Sequence, residues 1–318
     1  KGEVRDTPWQ KNIARNVVSC PTPQYKGAFV GEVTEIMKKL DFDALYIDQL
    51  GSTGIYPCFN QKHDHPLGGG THWVSSYIDL IETLRKDLGE IKGTPVPFTT
   101  EDAADGFTFD GWLRCNEGMW ETADAPVNTV VFSGYNLSFG DTYYEEELKT
   151  DRSQPAINKL AVDFSKGIIP GWEIGAEMNV VPYAEFRDYY RDMVHARYKA
   201  KEFFNFGEMV REVKITSPIP TKKILWKHYT GESTEIFPLV RSVSYKYRNR
   251  TMVGFTSIAL NDPIKISWEA DSEDLYLPKK NMYTIKEIYP REKTLCKSED
   301  IKYTFTIKPK TTVLFTVE

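Results

Sequence analysis

The sequence lacks several features that would place it quickly in a functional class. No apolar run approaches the roughly 20 residues that a membrane-spanning helix needs. No block of lysine and arginine occurs, and the formal net charge is −5, which argues against a nucleic-acid surface. Internal repeats and low-complexity tracts are also missing. The chain has 318 residues, 41% of them hydrophobic, which is typical of a folded protein long enough for two domains.

Cysteines are few and far apart. The chain has four, Cys20, Cys58, Cys115 and Cys296, and no two form a Cys-x-x-Cys pair. Structural zinc sites usually contain such pairs, so the spacing argues against a zinc site and favours free, buried thiols. We therefore predict a protein without a metal or redox cofactor.

The pattern of apolar and polar residues changes near Pro218 and Pro220. Before this point, short apolar runs alternate with amphipathic segments, which is typical of strand–helix units. After it, short segments alternate apolar with polar residues between turn-forming clusters, which is typical of antiparallel sheets. The sequence predicts a TIM-like (β/α) barrel region over residues 1–216 and an antiparallel β-sandwich over residues 217–318.

The number of strand–helix units is smaller than a full barrel requires. About four or five can be found, including strands predicted over residues 128–135 and 167–173, whereas a closed barrel has eight. We therefore expect that the first barrel strands belong to a missing N-terminal part of a longer polypeptide.

Two predicted strands each end in an acid. The apolar run Leu45-Tyr46-Ile47 ends in Asp48, and the run over residues 95–100 ends in Glu101. In α/β barrels, residues at the carboxyl ends of strands face the active site. The alternative is that Asp48 only caps the following turn and that Glu101 is a solvated loop residue.

The spacing of such acids suits one reaction. A retaining glycosidase needs two carboxyl groups about 5 Å apart, one as nucleophile and one as acid/base. Neighbouring strands lie about 4.8 Å apart, and like charges that close raise the pKa of one carboxyl group, which then can donate a proton. Asp48 and Glu101 are the candidate catalytic pair, with Asp102, Asp105 and Asp110 as competing acids.

A histidine-rich loop with three consecutive glycines precedes the second amphipathic helix. It is not a phosphate loop, because no Gly-Lys-Ser/Thr sequence follows. His63, Asp64, His65 and His72 could ligate a metal, but their spacing matches no recognised ligand pattern. We favour binding of sugar hydroxyls by His65 or His72, with Trp73 as a stacking platform, and metal binding by the loop is the weaker alternative.

Four further residues are candidates for substrate binding. Asp110 lies among aromatic residues, Tyr135 closes a predicted strand, and Trp172 and Glu173 end another. For each of them, ordinary placement in a loop or core is the competing interpretation.

These motifs resemble a known clan. The matching segments are Tyr46-Ile47-Asp48-Gln49 and residues 65–73, 100–102 and 109–113. They are similar to the retaining glycosidases that include the α-amylases and the endo-α-N-acetylgalactosaminidases, and more closely to a little-characterised group of large bacterial proteins classed with the glycosidases. The pattern of predicted strands and helices resembles this clan over most of the chain. Only short motifs match it residue by residue.

The resemblance implies roles that the residues alone do not fix. Asp48 would be the nucleophile, on the fourth barrel strand, and Glu101 the acid/base, on the fifth. It also implies a carbohydrate substrate, no nucleic-acid partner, and an extracellular or periplasmic location. The competing hypothesis is a catalytically inactive carbohydrate-binding or scaffold module with a degenerate barrel.

Overall fold

The computed structural model describes most of the chain. The described residues are 6–7, 16–17, 19–48, 50, 56–68, 70–101, 113–115, 127–173, 180–228 and 231–318. The chain forms two compact units, Lys1–Phe109 and Asp110–Glu318. This division by compactness differs from the division by fold type predicted near residue 216, which stays a prediction.

The first unit contains two parallel strands and two long helices. Its elements are β1 (Asp6–Thr7), β2 (Asn16–Val17), α1 (Pro23–Leu40), β3 (Leu45–Ile47), α2 (His72–Lys92) and β4 (Phe98–Glu101). The short strands β1 and β2 pair antiparallel. Strands β3 and β4 pair parallel, with Leu45 opposite Phe98 and Ile47 opposite Thr100, as the alternation of strands and helices predicts.

Helix α1 starts and stops at residues suited to those positions. The Tyr25 backbone N–H donates to the Thr22 side chain at 3.3 Å, and Pro23 stands in the first turn, where its missing N–H is not needed. The helix ends at Asp41 in a left-handed conformation, φ 52°. Helices α1 and α2 pack against each other. The buried apolar residues of this unit are Val30, Met37, Ile47, Leu50, Trp73, Leu80, Ile81, Leu84, Leu88, Val96 and Phe98.

The second unit begins with further strands and helices. They are β5 (Leu113–Cys115), α3 (Val127–Phe132), β6 (Leu137–Thr142), α4 (Glu145–Lys149), α5 (Gln154–Ser165), β7 (Ile169–Glu173), α6 (Ala184–Lys199) and α7 (Lys201–Phe206). Strands β5, β6 and β7 pair parallel in that order. The described residues thus include five parallel strands in the two units. Among the described helices, none is both long and apolar enough to cross a membrane.

The strand predicted over residues 128–135 is wrong, whereas the one predicted over residues 167–173 is confirmed as β7. The former segment forms α3 and a turn, and the strand follows it as β6. The β-branched residues of this segment led to the wrong assignment as a strand. Val130 and Val131 are 49% and 60% exposed, so they are not buried in a sheet. A strand preference of this kind depends on burial against neighbours.

The rest of the second unit is antiparallel, as predicted. Its strands are β8 (Glu208–Met209), β9 (Lys214–Ile215), β10 (Thr221–His228), β11 (Gly231–Pro238), β12 (Val240–Tyr247), β13 (Arg250–Ser257), β14 (Ile264–Ala270), β15 (Tyr283–Tyr289), β16 (Lys293–Ser298), β17 (Ile301–Ile307) and β18 (Thr311–Val317). They form a six-stranded sheet (β16-β15-β18-β13-β12-β8), a three-stranded sheet (β17-β14-β9) and the hairpin β10–β11.

The two larger antiparallel sheets share one apolar core. Phe255 and Phe315 of the six-stranded sheet contact Trp268 of the three-stranded sheet, with ring centroids 6.0 and 6.1 Å apart. A second apolar cluster joins α5 and α6 to β10, β12 and β13. The expected combination of an α/β region with antiparallel sheets is therefore confirmed.

Candidate functional site

Asp48 and Glu101 lie at neighbouring strand ends in the first unit. Asp48 directly follows β3, and Glu101 is the last residue of β4. Because Ile47 stands opposite Thr100 in the parallel pair, the same register brings the backbones of Asp48 and Glu101 side by side. The Asp48 side chain is exposed, and that of Glu101 lies outside the described part of the structure.

One contact orients the Asp48 carboxylate. The Tyr46 hydroxyl donates a hydrogen bond to Asp48 Oδ1 at 2.8 Å. Residues two apart on a strand point to the same face, so the strand itself brings the phenol to the carboxylate. A carboxylate that is held by a hydrogen-bond donor and exposed to solvent presents its free oxygen to a substrate in one defined direction.

A second group of side chains, Cys20, Cys58, His63 and His65, meets in the same unit. We call it the Cys–His cluster. Its four possible ligand atoms all lie within 4.8 Å of one another. Cys20 Sγ is 3.2 Å from His65 Nε2, and Cys58 Sγ is 3.3 Å from His63 Nδ1. All four residues are half-buried, and Cys20, Cys58 and Cys296 are free thiols.

Local backbone bonds build this cluster. Cys58 and Gly68 exchange two hydrogen bonds, of 2.9 and 2.7 Å, which close the loop between them. Gly68 has φ +92°, a conformation that favours glycine. Within the loop, Asn60 accepts from the Lys62 N–H with its side chain and from the His63 N–H with its carbonyl, at 3.0 and 3.2 Å. The thiol of Cys58 and both imidazoles therefore belong to one closed turn.

Cys20 comes from a separate segment, two residues before the Thr22 cap of α1. Burial, and then the nearby Cys58, raise the pKa of the Cys20 thiol to about 11. Burial disfavours the charged form of a thiol.

The structure places three predicted sugar-binding residues around this cluster. His65 is part of it, and the His72 ring stacks on the His65 ring at 4.0 Å with an interplanar angle of 11°. Trp73 is 3% exposed and contacts the rings of Tyr56 and Tyr77. This is the placement of a core residue, because a stacking platform needs an open face.

The other predicted site residues are not gathered with these. Asp110 lies outside the described residues, as do the competing acids Asp102 and Asp105. Tyr135 lies in the turn after α3 and is 73% exposed. Trp172 and Glu173 end β7, and their side chains are outside the described part.

Sequence reasoning missed Cys20 and Cys58 as site residues. The two cysteines form no Cys-x-x-Cys pair, and each thiol comes from a different segment. One local pattern in the sequence indicates the cluster. Cys58, His63 and His65 fall within eight residues of each other, in a loop that Asn60 and three consecutive glycines predict to be irregular.

Comparison with known proteins supports the resemblance to glycosidases. The family described as “Domain of unknown function (DUF6259)” matches residues 9–144. “Putative glycoside hydrolase 22789” of Monosiga brevicollis is 28% identical over 148 residues, which are 44% of this chain and 12% of that protein. “Putative glycoside hydrolase” of Bacteroides thetaiotaomicron is 24% identical over 214 residues, 66% of this chain and 31% of that protein.

The chain thus spans less than a third of the length of either curated relative. Among solved structures, an Anoxybacillus α-amylase matches with a TM-score of 0.50 and 12% identity, over 95% of this chain and 65% of that one. A likeness at this identity concerns the fold alone. The predicted resemblance to glycoside hydrolases is confirmed by the named relatives.

Proposed function

We propose that this chain carries the catalytic acids of a retaining glycoside hydrolase that acts on an oligo- or polysaccharide. Asp48 is the nucleophile and Glu101 is the acid/base. The observation that carries the proposal is the parallel register of β3 and β4, which makes these two acids neighbours at the carboxyl ends of adjacent strands. The names of the two curated relatives support the same class of reaction.

The chemistry follows from the spacing. Adjacent strands are about 4.8 Å apart, close to the separation of about 5 Å that a retaining pair requires. Asp48, held by the Tyr46 hydroxyl, attacks the anomeric carbon while Glu101 protonates the departing oxygen. Water then hydrolyses the glycosyl-enzyme with Glu101 as base. In this proposal, the parallel strands belong to a (β/α) barrel and the antiparallel sheets form a β-sandwich after it.

A panel of aryl glycosides tests the activity. The wild-type protein should hydrolyse at least one of them with retention of anomeric configuration, as read by proton NMR of the first product. Asp48→Asn should abolish turnover, because the amide is nearly isosteric but cannot attack. A matched control is Asp64→Asn, which changes an exposed acid of the neighbouring loop and should leave turnover intact.

The separation of the two carboxyl groups in a crystal structure distinguishes the alternatives. About 5 Å in an open cleft supports the retaining enzyme, and 6.5–9.5 Å supports an inverting one. A wide separation, together with sugar binding but no turnover of any glycoside, would replace the proposal with a carbohydrate-binding module.

A further inference from the structure

We propose that the Cys–His cluster binds one zinc ion, with Cys20, Cys58, His63 and His65 as its four ligands. The proposal does not depend on hydrolysis by Asp48 and Glu101. It replaces the expectation, drawn from cysteine spacing, that a zinc site is absent.

The donor set and its dimensions fit zinc. Two thiolates with two imidazoles is one of the common ligand sets of structural zinc, with Zn–S near 2.3 Å and Zn–N near 2.0–2.1 Å. A tetrahedron with those bonds separates sulfur from nitrogen by about 3.5 Å. The two sulfur–nitrogen distances of 3.2 and 3.3 Å are close to that value, and all four atoms already lie within 4.8 Å of one another.

The second nitrogen of the His65 imidazole has the partner that a zinc-bound histidine needs. His65 Nδ1 lies 2.8 Å from the Pro66 carbonyl oxygen. A carbonyl can only accept, so Nδ1 must carry the proton and Nε2 turns its lone pair toward Cys20. This arrangement, a ring N–H held by a backbone carbonyl, is the usual outer shell of a zinc-bound histidine. The partner of His63 Nε2 is the Asn60 amide nitrogen at 3.0 Å, which donates, so Nε2 is the acceptor in that contact. Zinc coordination through His63 Nδ1 therefore requires the Asn60 amide to turn away and the ring proton to move to Nε2.

The place of the cluster in the fold indicates what the metal does. Four protein ligands close the coordination shell, which is the mark of a structural site. Cys20 precedes α1, and the other three ligands belong to the loop that connects β3 to α2. A zinc ion here therefore ties the loop that follows Asp48 to the start of α1. Helices of strand–helix units begin at the carboxyl end of the strands, so the tie lies at the same end of the unit as Asp48 and Glu101.

Metal content of the full chain tests the proposal directly. Protein purified under reducing conditions with zinc supplied should retain one zinc per chain after dialysis, measured by elemental mass spectrometry. Zinc-edge X-ray absorption should show two sulfur and two nitrogen neighbours. Cobalt(II) in place of zinc should give the visible bands of a tetrahedral site and a thiolate charge-transfer band.

Variants then locate the metal. Cys58→Ser and His65→Gln should each lower zinc affinity at least about 100-fold, since even outer-shell partners cost 10–100-fold. Matched controls are Cys296→Ser and His195→Gln, which change a free thiol and an exposed imidazole of the second unit and should keep stoichiometric zinc. Chelation of the wild-type protein should speed amide exchange in residues 56–68 and the first turn of α1, but not in β12 or β13.

Three results would overturn the proposal, and the first two need no variant. They are wild-type protein without bound zinc after supply, a Cys20–Cys58 disulfide found by peptide mapping of the reduced-purified protein, and controls that lose the metal as readily as the ligand variants. Because the readout is metal content and not turnover, failure here leaves the proposed hydrolysis untouched, and the reverse also holds.

Discussion

The candidate site of the first unit and the core of the second unit differ in how deeply polar side chains are buried. In the first, the Cys–His cluster and Asp48 lie at loops and strand ends, half-buried or exposed. In the second, Lys159 of α5 and Glu147 of α4 are 1% and 0% exposed, with Lys159 Nζ 3.1 Å from Glu147 Oε2. The ammonium lies over the rings of Tyr144 and Trp226, 4.8 and 5.2 Å from their centroids.

The two units also differ in the size of their clusters of buried apolar side chains. Both large clusters of buried side chains found among the described residues lie between Tyr143 and Val317, in the second unit. The two large buried clusters therefore belong to the second unit, and the proposed reactive groups belong to the first. Loops and strand ends commonly carry binding and catalytic groups because they can open to a substrate, whereas packed elements supply stability.

The largest effect on stability is expected from the buried ion pair. Lys159→Met should lower the free energy of unfolding of the second unit by about 3–5 kcal/mol, because it leaves the Glu147 carboxylate buried without its cation. Denaturant unfolding measures it. The matched control is Lys302→Met, which breaks an exposed pair with Asp300 (2.6 Å) and should leave the free energy of unfolding nearly unchanged. Equal effects of the two changes would refute the contrast between the units.

A tightly packed glycine gives the next effect. A Cβ on Gly254 of β13 would stand 2.8 Å from Phe164 Cζ and 2.9 Å from Leu314 Cδ2. Gly254→Ala should therefore destabilise the second unit by about 1–3 kcal/mol through overpacking. Denaturant unfolding again measures the effect. An unchanged free energy of unfolding would show that Phe164 and Leu314 can shift to make room for the added methyl group.

A helical glycine of the first unit should respond with the opposite sign. A Cβ on Gly27 of α1 would meet nothing within 4 Å, and alanine is the better helix former. Gly27→Ala should stabilise α1 by about 0.5–1 kcal/mol. Slower amide exchange in α1, with unchanged exchange in β12 and β13, is the expected reading. A destabilised α1 would contradict the open surroundings of Gly27.

The sequence predicted the parts of this molecule that depend on local pattern. A short apolar run followed by a carboxylate located Asp48, and alternation of apolar and polar residues located the antiparallel strands. Local pattern failed at Val130 and Val131, because burial decides whether such a run joins a sheet. It also missed the proximity of Cys20 and Cys58, because residues of separate segments become neighbours only when the loop after β3 meets the start of α1.

The roles of the two acids are tested most directly by rescue with azide. On an aryl glycoside with a very acidic leaving group, Glu101→Gln should still form the glycosyl-enzyme, because that step then needs no protonation. Added azide should accelerate its turnover and yield a glycosyl azide of retained configuration, while Asp48→Asn should give no product in the absence of azide. A glycosyl azide of inverted configuration from Glu101→Gln, or wild-type turnover by Asp48→Asn, would contradict the assignment of Asp48 as nucleophile and Glu101 as acid/base.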